Sequence, residues 1–316
     1  MLTNSLIFLI VVALTLTVVW LTLRARRSSS RVTKWVGVAA GSIVGLILVV
    51  VSGASSRGLV MLYAPRGRAV RDMKVEMSTE RVARGQHIAG MWCANCHTLN
   101  GELPLSGGKN LSDEAGMPLG DLYTINLTPA GPLSTWTDGE VFRAVRDGAD
   151  RSGRRLPVMS AQRVRNLSDE DLMSVIAYLR SQPPVQNETP PPAPSFLTVA
   201  LAGLNMLPLL PGMAPDTIVA PPAGPTLAYG EYMVRWMGCE ECHGANLNGG
   251  GGGVVPKAPT LRSVKGWSRD GFIQTIRTGT TPFGKKLDPT MMPWKNLGKA
   301  TDDELTAIYT YLTSLN

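Results

Sequence analysis

Residues 91–100 read MWCANCHTLN, and residues 237–246 read MGCEECHGAN. The chain of 316 residues has only four cysteines and three histidines. All four cysteines and two of the histidines fall in these two windows, as Cys93, Cys96 and His97 and as Cys239, Cys242 and His243. A chain that spends almost all its soft ligands on two C-x-x-C-H elements has to fold around whatever those elements hold.

C-x-x-C-H is the attachment sequence for c-type haem. Each thiol adds to one porphyrin vinyl group, two intervening residues set both sulfurs along one ring edge, and the adjacent His reaches under the ring as the proximal iron ligand. Paired C-x-x-C elements also build Cys₄ zinc sites, and four cysteines outside the cytoplasm can form two disulfides. The wide separation of the motifs and the His directly after each argue against zinc, a redox dithiol and disulfides. The expectation is two covalently bound haem c groups. Cys93, Cys96, Cys239 and Cys242 attach them, and His97 and His243 are axial iron ligands.

A six-coordinate haem needs a second axial ligand, usually Met in electron carriers. The chain has 14 Met, and an internal repeat chooses among them. STWTDGEVFRAVRDG (134–148) resembles KGWSRDGFIQTIRTG (265–279), and LSDEDLMSVIAYLRS (167–181) resembles ATDDELTAIYTYLTS (300–314). Leu172 and Leu305 are 133 apart, as are Tyr178 and Tyr311. The same offset pairs Met159 with Met292, and these two are assigned as the sixth ligands. Pro293 follows Met292 as a rigid turn, whereas Ser160 follows Met159. Met291 is the competitor of Met292; Met117 and Met173 are those of Met159. Either assigned Met could instead fill core space.

The rest of each repeat suits a small helical fold. A helix is expected before each motif, over STERVARGQHIAGMW and TLAYGEYMVRWMG. A terminal helix should begin at Ser168 or Thr301 as N-cap, with acids in its first turn. Leu172, Val175, Ile176 and Leu179 give it one apolar face. Tyr178 and Tyr311 read as packing residues, and Trp136 and Trp267 as core or haem-edge contacts. His87, outside the motifs, reads as a partly exposed helix residue or an alternative ligand. Arg151, Arg154, Arg155, Arg163 and Arg165 near Met159, and Lys285, Lys286, Lys295 and Lys299 near Met292, suggest a basic rim that steers an acidic partner or pairs with propionates.

The net charge of +7 is uneven. Residues 1–60 hold Arg24, Arg26, Arg27, Arg31, Lys34 and Arg57 and no acid, which is +6 of that total. The high pI therefore gives no reason to expect nucleic acid. Residues 5–23 and 35–53 are apolar runs long enough to span a bilayer as helices, separated by RARRSSSRVTK. Basic loops stay cytoplasmic, so both ends of the hairpin should lie outside. A cleaved signal peptide is the alternative, but MLTNS carries no charge and the first run ends in RARR rather than a small-residue cleavage site.

With CANCH and CEECH, a Trp-bearing helix start, a Met-bearing loop and the terminal SDEDL…YLRS helix, each repeat resembles a class I cytochrome c domain. The tandem, with TINLTPAGPLSTWTDGEVFRAVRDG, is similar to bacterial multihaem subunits of membrane dehydrogenases, and the general type resembles a membrane-anchored dihaem cytochrome c. The resemblance implies His/Met ligation. The expected fold is all-α, an N-terminal transmembrane helical hairpin followed by two tandem class I cytochrome c domains. The expected boundaries are 1–54 for the hairpin, 55–78 a linker, 79–182 the first cytochrome domain, 183–225 an inter-domain segment and 226–316 the second. The extra loop around ELPLSGGKNLSDEAG reads as surface, and the glycine run in NLNGGGGGVVPKAP as flexible. QPPVQNETPPPAP is a stiff linker. The apolar stretch 196–213, cut by Pro208 and Pro211, is expected at the membrane interface or on a partner subunit, or else buried between the haem domains.

No catalytic constellation is evident. The functional expectation is single-electron transfer in the bacterial cytoplasmic membrane, with the haem domains on the outer face. The donor would be a quinol-oxidising complex, a dehydrogenase or a photosynthetic reaction centre, and the acceptor a soluble carrier or oxidase. Partners would be the membrane and other subunits, not nucleic acid. The rivals are a dihaem peroxidase and a haem ligand sensor.

Overall fold

The computed structural model describes residues 1–65, 67–207, 212–252 and 255–315. The chain is mostly helical and forms two compact units. The first comprises Met1–Pro65, Ser112–Leu122 and Pro192–Leu209; the second comprises Arg66–Leu111, Tyr123–Pro191 and Leu210–Asn316.

In the first unit, α1 (Leu2–Ala25) and α2 (Arg31–Tyr63) are the two expected apolar runs, each extended at its ends. Both are long and apolar enough to cross a membrane, and most of their large apolar side chains are exposed. Gly37, Gly41 and Gly45 recur every fourth residue on α2. A Cβ on Gly37 would lie 2.9 Å from the Ala25 side chain and one on Gly41 2.1 Å from Thr22. Small residues at this spacing let two helices approach without a hydrophobic drive between them. Thr15 and Ser52 hydroxyls meet across the pair at 3.2 Å. The second helix continues well past its apolar run, to Tyr63.

That extension receives α8 (Phe196–Gly203), the described helix of the apolar 196–213 stretch. Gly58 of α2 lies against Val199, and Gly203 of α8 against Ala54, each so close that a Cβ would fall within 2 Å of a carbonyl oxygen. Leu62, Val199 and Ala202 form a small buried cluster there. Arg57 donates to the Gly203 carbonyl and, at 2.8 Å, to Asn205. The described helix of the stretch thus packs on the second helix of the hairpin; Pro208 and Pro211 lie outside the described residues. A two-residue pair, β1 (Gly120–Asp121) with β2 (Ala193–Pro194), runs antiparallel with Gly120 opposite Pro194. It fastens the extra loop of the first repeat, expected as free surface, to this segment. Ser195 and Thr198 donate to the carbonyls of Pro118 and Leu119.

The second unit holds both repeats. In the first, α3 (Thr79–Ile88) continues through one π-turn at Ala89–Cys93 into α4 (Ala94–His97). After α5 (Leu111–Ala115), which but for Leu111 belongs to the first unit, come α6 (Asp138–Asp147) and the terminal α7 (Asp169–Ser181). In the second, α9 (Leu227–Trp236) is followed by α10 (Cys239–His243), then β3 (Gly250–Gly252) antiparallel to β4 (Val255–Ala258), α11 (Arg269–Thr278), α12 (Trp294–Leu297) and the terminal α13 (Asp302–Ser314). The N-caps fall as expected: the Ser168 hydroxyl accepts from Asp171 N–H, and Thr301 forms a capping box with Glu304. Leu172, Val175, Ile176 and Leu179 are all buried. The described glycines 250–252 are strand, where a flexible loop was expected, because β4 gives their backbone groups partners.

Each leading helix crosses its terminal helix at a glycine. A Cβ on Gly85 would sit 1.8 Å from the Ser174 carbonyl oxygen, and one on Gly230 1.9 Å from that of Ala307. One buried core runs through both repeats. Polar residues between the repeats are equally specific. Arg84 reaches Asp171 at 2.8 Å, Glu304 at 2.9 Å and the Tyr229 hydroxyl at 3.0 Å. His87 meets Glu304 at 2.7 Å, and the Tyr232 hydroxyl donates to Asp171 at 2.6 Å. These partners are repeat equivalents: 84 with 229 and 87 with 232, counted from Gly85 and Gly230, and 171 with 304. The contacts are exchanged between halves as in an isologous interface.

Candidate haem sites

The motif cysteines are half-buried and form no disulfide among the described residues. Burial pushes the Cys93 and Cys239 thiols up to about 12. A redox dithiol calls for the opposite shift.

The histidines are held alike. His97 Nδ1 lies 3.0 Å from the Ile125 carbonyl oxygen, and His243 Nδ1 lies 2.7 Å from that of Pro259. A carbonyl only accepts, so Nδ1 carries the proton and Nε2 holds the lone pair. Such a bond orients a metal-binding imidazole and fixes its tautomer. Burial lowers the pKa of both rings against those carbonyls, which keeps them neutral. Each loop then turns on a glycine with positive φ: Gly107 N–H donates to the His97 carbonyl at 2.8 Å, and Gly249 N–H to that of His243 at 2.9 Å. A Cβ on Gly107 would lie 2.5 Å from the Ile125 carbonyl carbon. Two thiols, a neutral imidazole with Nε2 as acceptor, and a loop of fixed path suit a covalently held haem.

The Met-bearing loops share a frame. Each starts at a left-handed glycine closing a helix, Gly148 after α6 and Gly279 after α11. Leu156 N–H bonds back to the Gly148 carbonyl and Leu287 N–H to that of Gly279, both at 2.7 Å. Met159 and Met292 are both half-buried against the core. Met291 is 52% exposed. Met173 lies within α7 against the core, and Met117 lies in the stretch that joins the hairpin. His87 is held by Glu304, which makes it an interface residue.

The expected basic rim is largely spent on other contacts. Arg154 pairs with Asp150 at 2.9 Å and Arg163 faces Glu241 at 3.7 Å. Arg165 is buried and donates to the Gly212 carbonyl. Lys299 donates to the Gly101 carbonyl at 2.8 Å.

Helical units of this kind, each with a C-x-x-C-H element between a leading and a terminal helix, define a membrane-associated cytochrome c carrying covalently bound haem, here with two apolar helices long enough to cross a membrane. The family model described as cytochrome c oxidase, cbb3-type, subunit III matches residues 80–179 and again 228–312, and the chain belongs to this cytochrome c family. It is 29% identical to a nicotinate dehydrogenase subunit of Pseudomonas putida over 92% of this chain and 25% of that protein. It is 28% identical to the gluconate 2-dehydrogenase cytochrome c subunit of Pantoea cypripedii, over 74% of this chain and 59% of the relative. The fructose dehydrogenase cytochrome subunit of Gluconobacter japonicus is 26% identical over 74% of this chain and 52% of its own length. The chain thus spans a quarter of the first relative and rather more than half of the others.

Proposed function

We propose that this chain is the dihaem electron-transfer subunit of a membrane dehydrogenase. It would take single electrons from a dehydrogenase partner and release them to a soluble carrier or an oxidase. One haem c would be attached at Cys93 and Cys96 and ligated by His97 and Met159, the other attached at Cys239 and Cys242 and ligated by His243 and Met292. The observation that carries this is the matched pair of imidazoles, each with Nδ1 bonded to a backbone carbonyl and Nε2 left as the ligating nitrogen.

Haem supplies reversible one-electron chemistry at iron. The chain's residues do the rest. The thiols would attach the porphyrin, the carbonyls of Ile125 and Pro259 hold the imidazoles in one orientation, and the Met loops would supply Met159 and Met292. Met ligation would raise the potential. The names of the relatives, cytochrome subunits of gluconate and fructose dehydrogenases, support a dehydrogenase as donor. The hairpin, with a basic loop between its helices, supports a two-span anchor with both haem domains on the outer face.

A redox titration of the purified protein, followed optically with a haem count and carbon monoxide added to the reduced form, tests the reading. Two haems per chain, both of high potential and unresponsive to carbon monoxide, are expected. A haem that binds carbon monoxide would refute the ligand set and bring back the peroxidase or sensor.

A further inference from the structure

We propose that Trp92 and Trp236 form the protein bridge through which the two halves of this chain exchange electrons. The proposal rests on the reading that each C-x-x-C-H motif holds a haem.

Both motifs border the contact between the halves. Asn95, the second spacer of the first motif, accepts a hydrogen bond at 3.2 Å from Asn296 of the second half. Glu241, the second spacer of the second motif, faces Arg163 of the first half at 3.7 Å. Asn296 and Arg163 are 133 apart, the offset of the repeat. Each attachment loop is therefore met by the chain that follows the Met of the other half. The contact is reciprocal, which turns the two loops toward one interface.

The indoles meet at that interface. Trp92 directly precedes Cys93, and Trp236 lies three residues before Cys239. Their ring centroids are 6.4 Å apart with planes at 78°, an edge-to-face contact. Trp236 is fully buried and Trp92 half-buried. The Trp236 Nε1–H donates to Met233 Sδ at 3.3 Å, so its polar edge is satisfied inside its own helix and its ring edge is left for packing. Electron tunnelling falls exponentially with distance and falls less steeply through packed atoms than across water. Two rings in edge-to-face contact, one shortly before each attachment sequence, give a packed path across the interface. Haem held at each motif would supply the one-electron exchange, one iron being oxidised as the other is reduced. No proton or further reactant is needed, and the indoles bridge the step without being oxidised.

The test uses the full chain in detergent with haem attached. After pulse-radiolytic reduction, electron redistribution between the haems is followed optically in the parent and in Trp92→Leu, Trp236→Phe and the double variant. A severalfold slowing in each single variant, larger in the double, is expected, with haem content and both midpoint potentials unchanged. Trp236→Phe keeps a buried ring and guards against loss of fold. An unchanged rate in the double variant, with two haems and unaltered potentials, overturns the bridge alone. A single haem per chain overturns both the bridge and the two-haem reading.

Discussion

In the first half, 28 residues separate His97 from the carbonyl that holds its ring; in the second, 16 separate His243 from its own. The longer loop is held by side chains. Asn126, fully buried, donates to the Val185 and Asn187 carbonyls and accepts from Thr128, and Gln182 bonds both Leu105 and Leu127. The shorter loop is held by backbone pairing between β3 and β4. On the Met side both loops are held by side chains, of different kinds. The second loop is stapled by Trp294, whose ring covers Gly279 and whose Nε1 donates to Leu287 at 3.1 Å. The first is held by the Asp150 carboxylate, which accepts from Ser152 and Arg154, and by Ser160 packed on Gly148. The leading helix runs into the first motif through a π-turn, but breaks before the second at Gly238, in the left-handed region. The invariants are backbone relations: a carbonyl on the imidazole, a glycine N–H on the His carbonyl, a glycine at the helix crossing. The means of enforcing them differ.

Removing attachment should break the comparison most completely. Cys93→Ala with Cys96→Ala, or Cys239→Ala with Cys242→Ala, is expected to leave one haem per chain by pyridine haemochrome assay. Met159→Leu and Met292→Leu come next. Each should lower the midpoint potential of one haem and open it to carbon monoxide, and the first should do so with less disturbance to the fold because no Trp staple follows it.

The interface separates the halves differently. Burial alone would raise the Glu304 carboxyl, but the hydrogen bond and charge of His87, the Thr301 N–H and Arg84 bring it down to about 2, from 4.5. A depressed carboxylate stabilises the fold above its unfolded value and loses that contribution as pH falls through its folded one. Acid unfolding between about pH 4.5 and pH 2 should therefore weaken the protein by up to roughly 3 kcal/mol at this group. Glu304→Gln should remove that part of the pH profile and, leaving Arg84 short of a partner, cost about 2–3 kcal/mol at neutral pH in chemical denaturation. Gly85→Ala and Gly230→Ala should each cost about 1–3 kcal/mol in thermal unfolding through forced separation of the crossing helices. The smallest effect concerns the spacers. Arg163→Ala should cost about 1 kcal/mol, somewhat more at low salt than at high, whereas Asn296→Ala at the neutral equivalent should be indifferent to salt.

The proposed sites could be named from the sequence because Cys and His are rare and Met159 and Met292 are positioned by the repeat; the terminal helices were readable because Ser168 and Thr301 are strong caps. The holders of the imidazoles were not readable. Ile125 and Pro259 act through backbone carbonyls, which leave no side-chain signature. The docking of α8 on α2 was hidden for a related reason: Gly58 and Gly203 contribute by what they lack. The interface did leave a trace. Arg84 and His87, and Tyr229 and Tyr232, are each three residues apart on the helix that precedes their motif, and Asp171 and Glu304 differ by the repeat offset. Polar residues at matched positions of a repeat, on the face that should be apolar, are the signal for a contact between its copies.

Arg84 lies between a carboxylate of its own half and one of the other, with a phenol of the other half as third partner. Burial works against its charge, yet the bonds to Asp171 and the neighbouring charges raise its pKa above that of an ordinary guanidinium. Its ionic partners are complete only when both halves are folded. Loss of either would strand charge in a poorly hydrated place, a cost of several kcal/mol. Tandem domains commonly melt in separate steps, but here the melting of one would drag down the other. Calorimetry on this unit should therefore show one heat-absorption peak, with calorimetric and van't Hoff enthalpies in agreement.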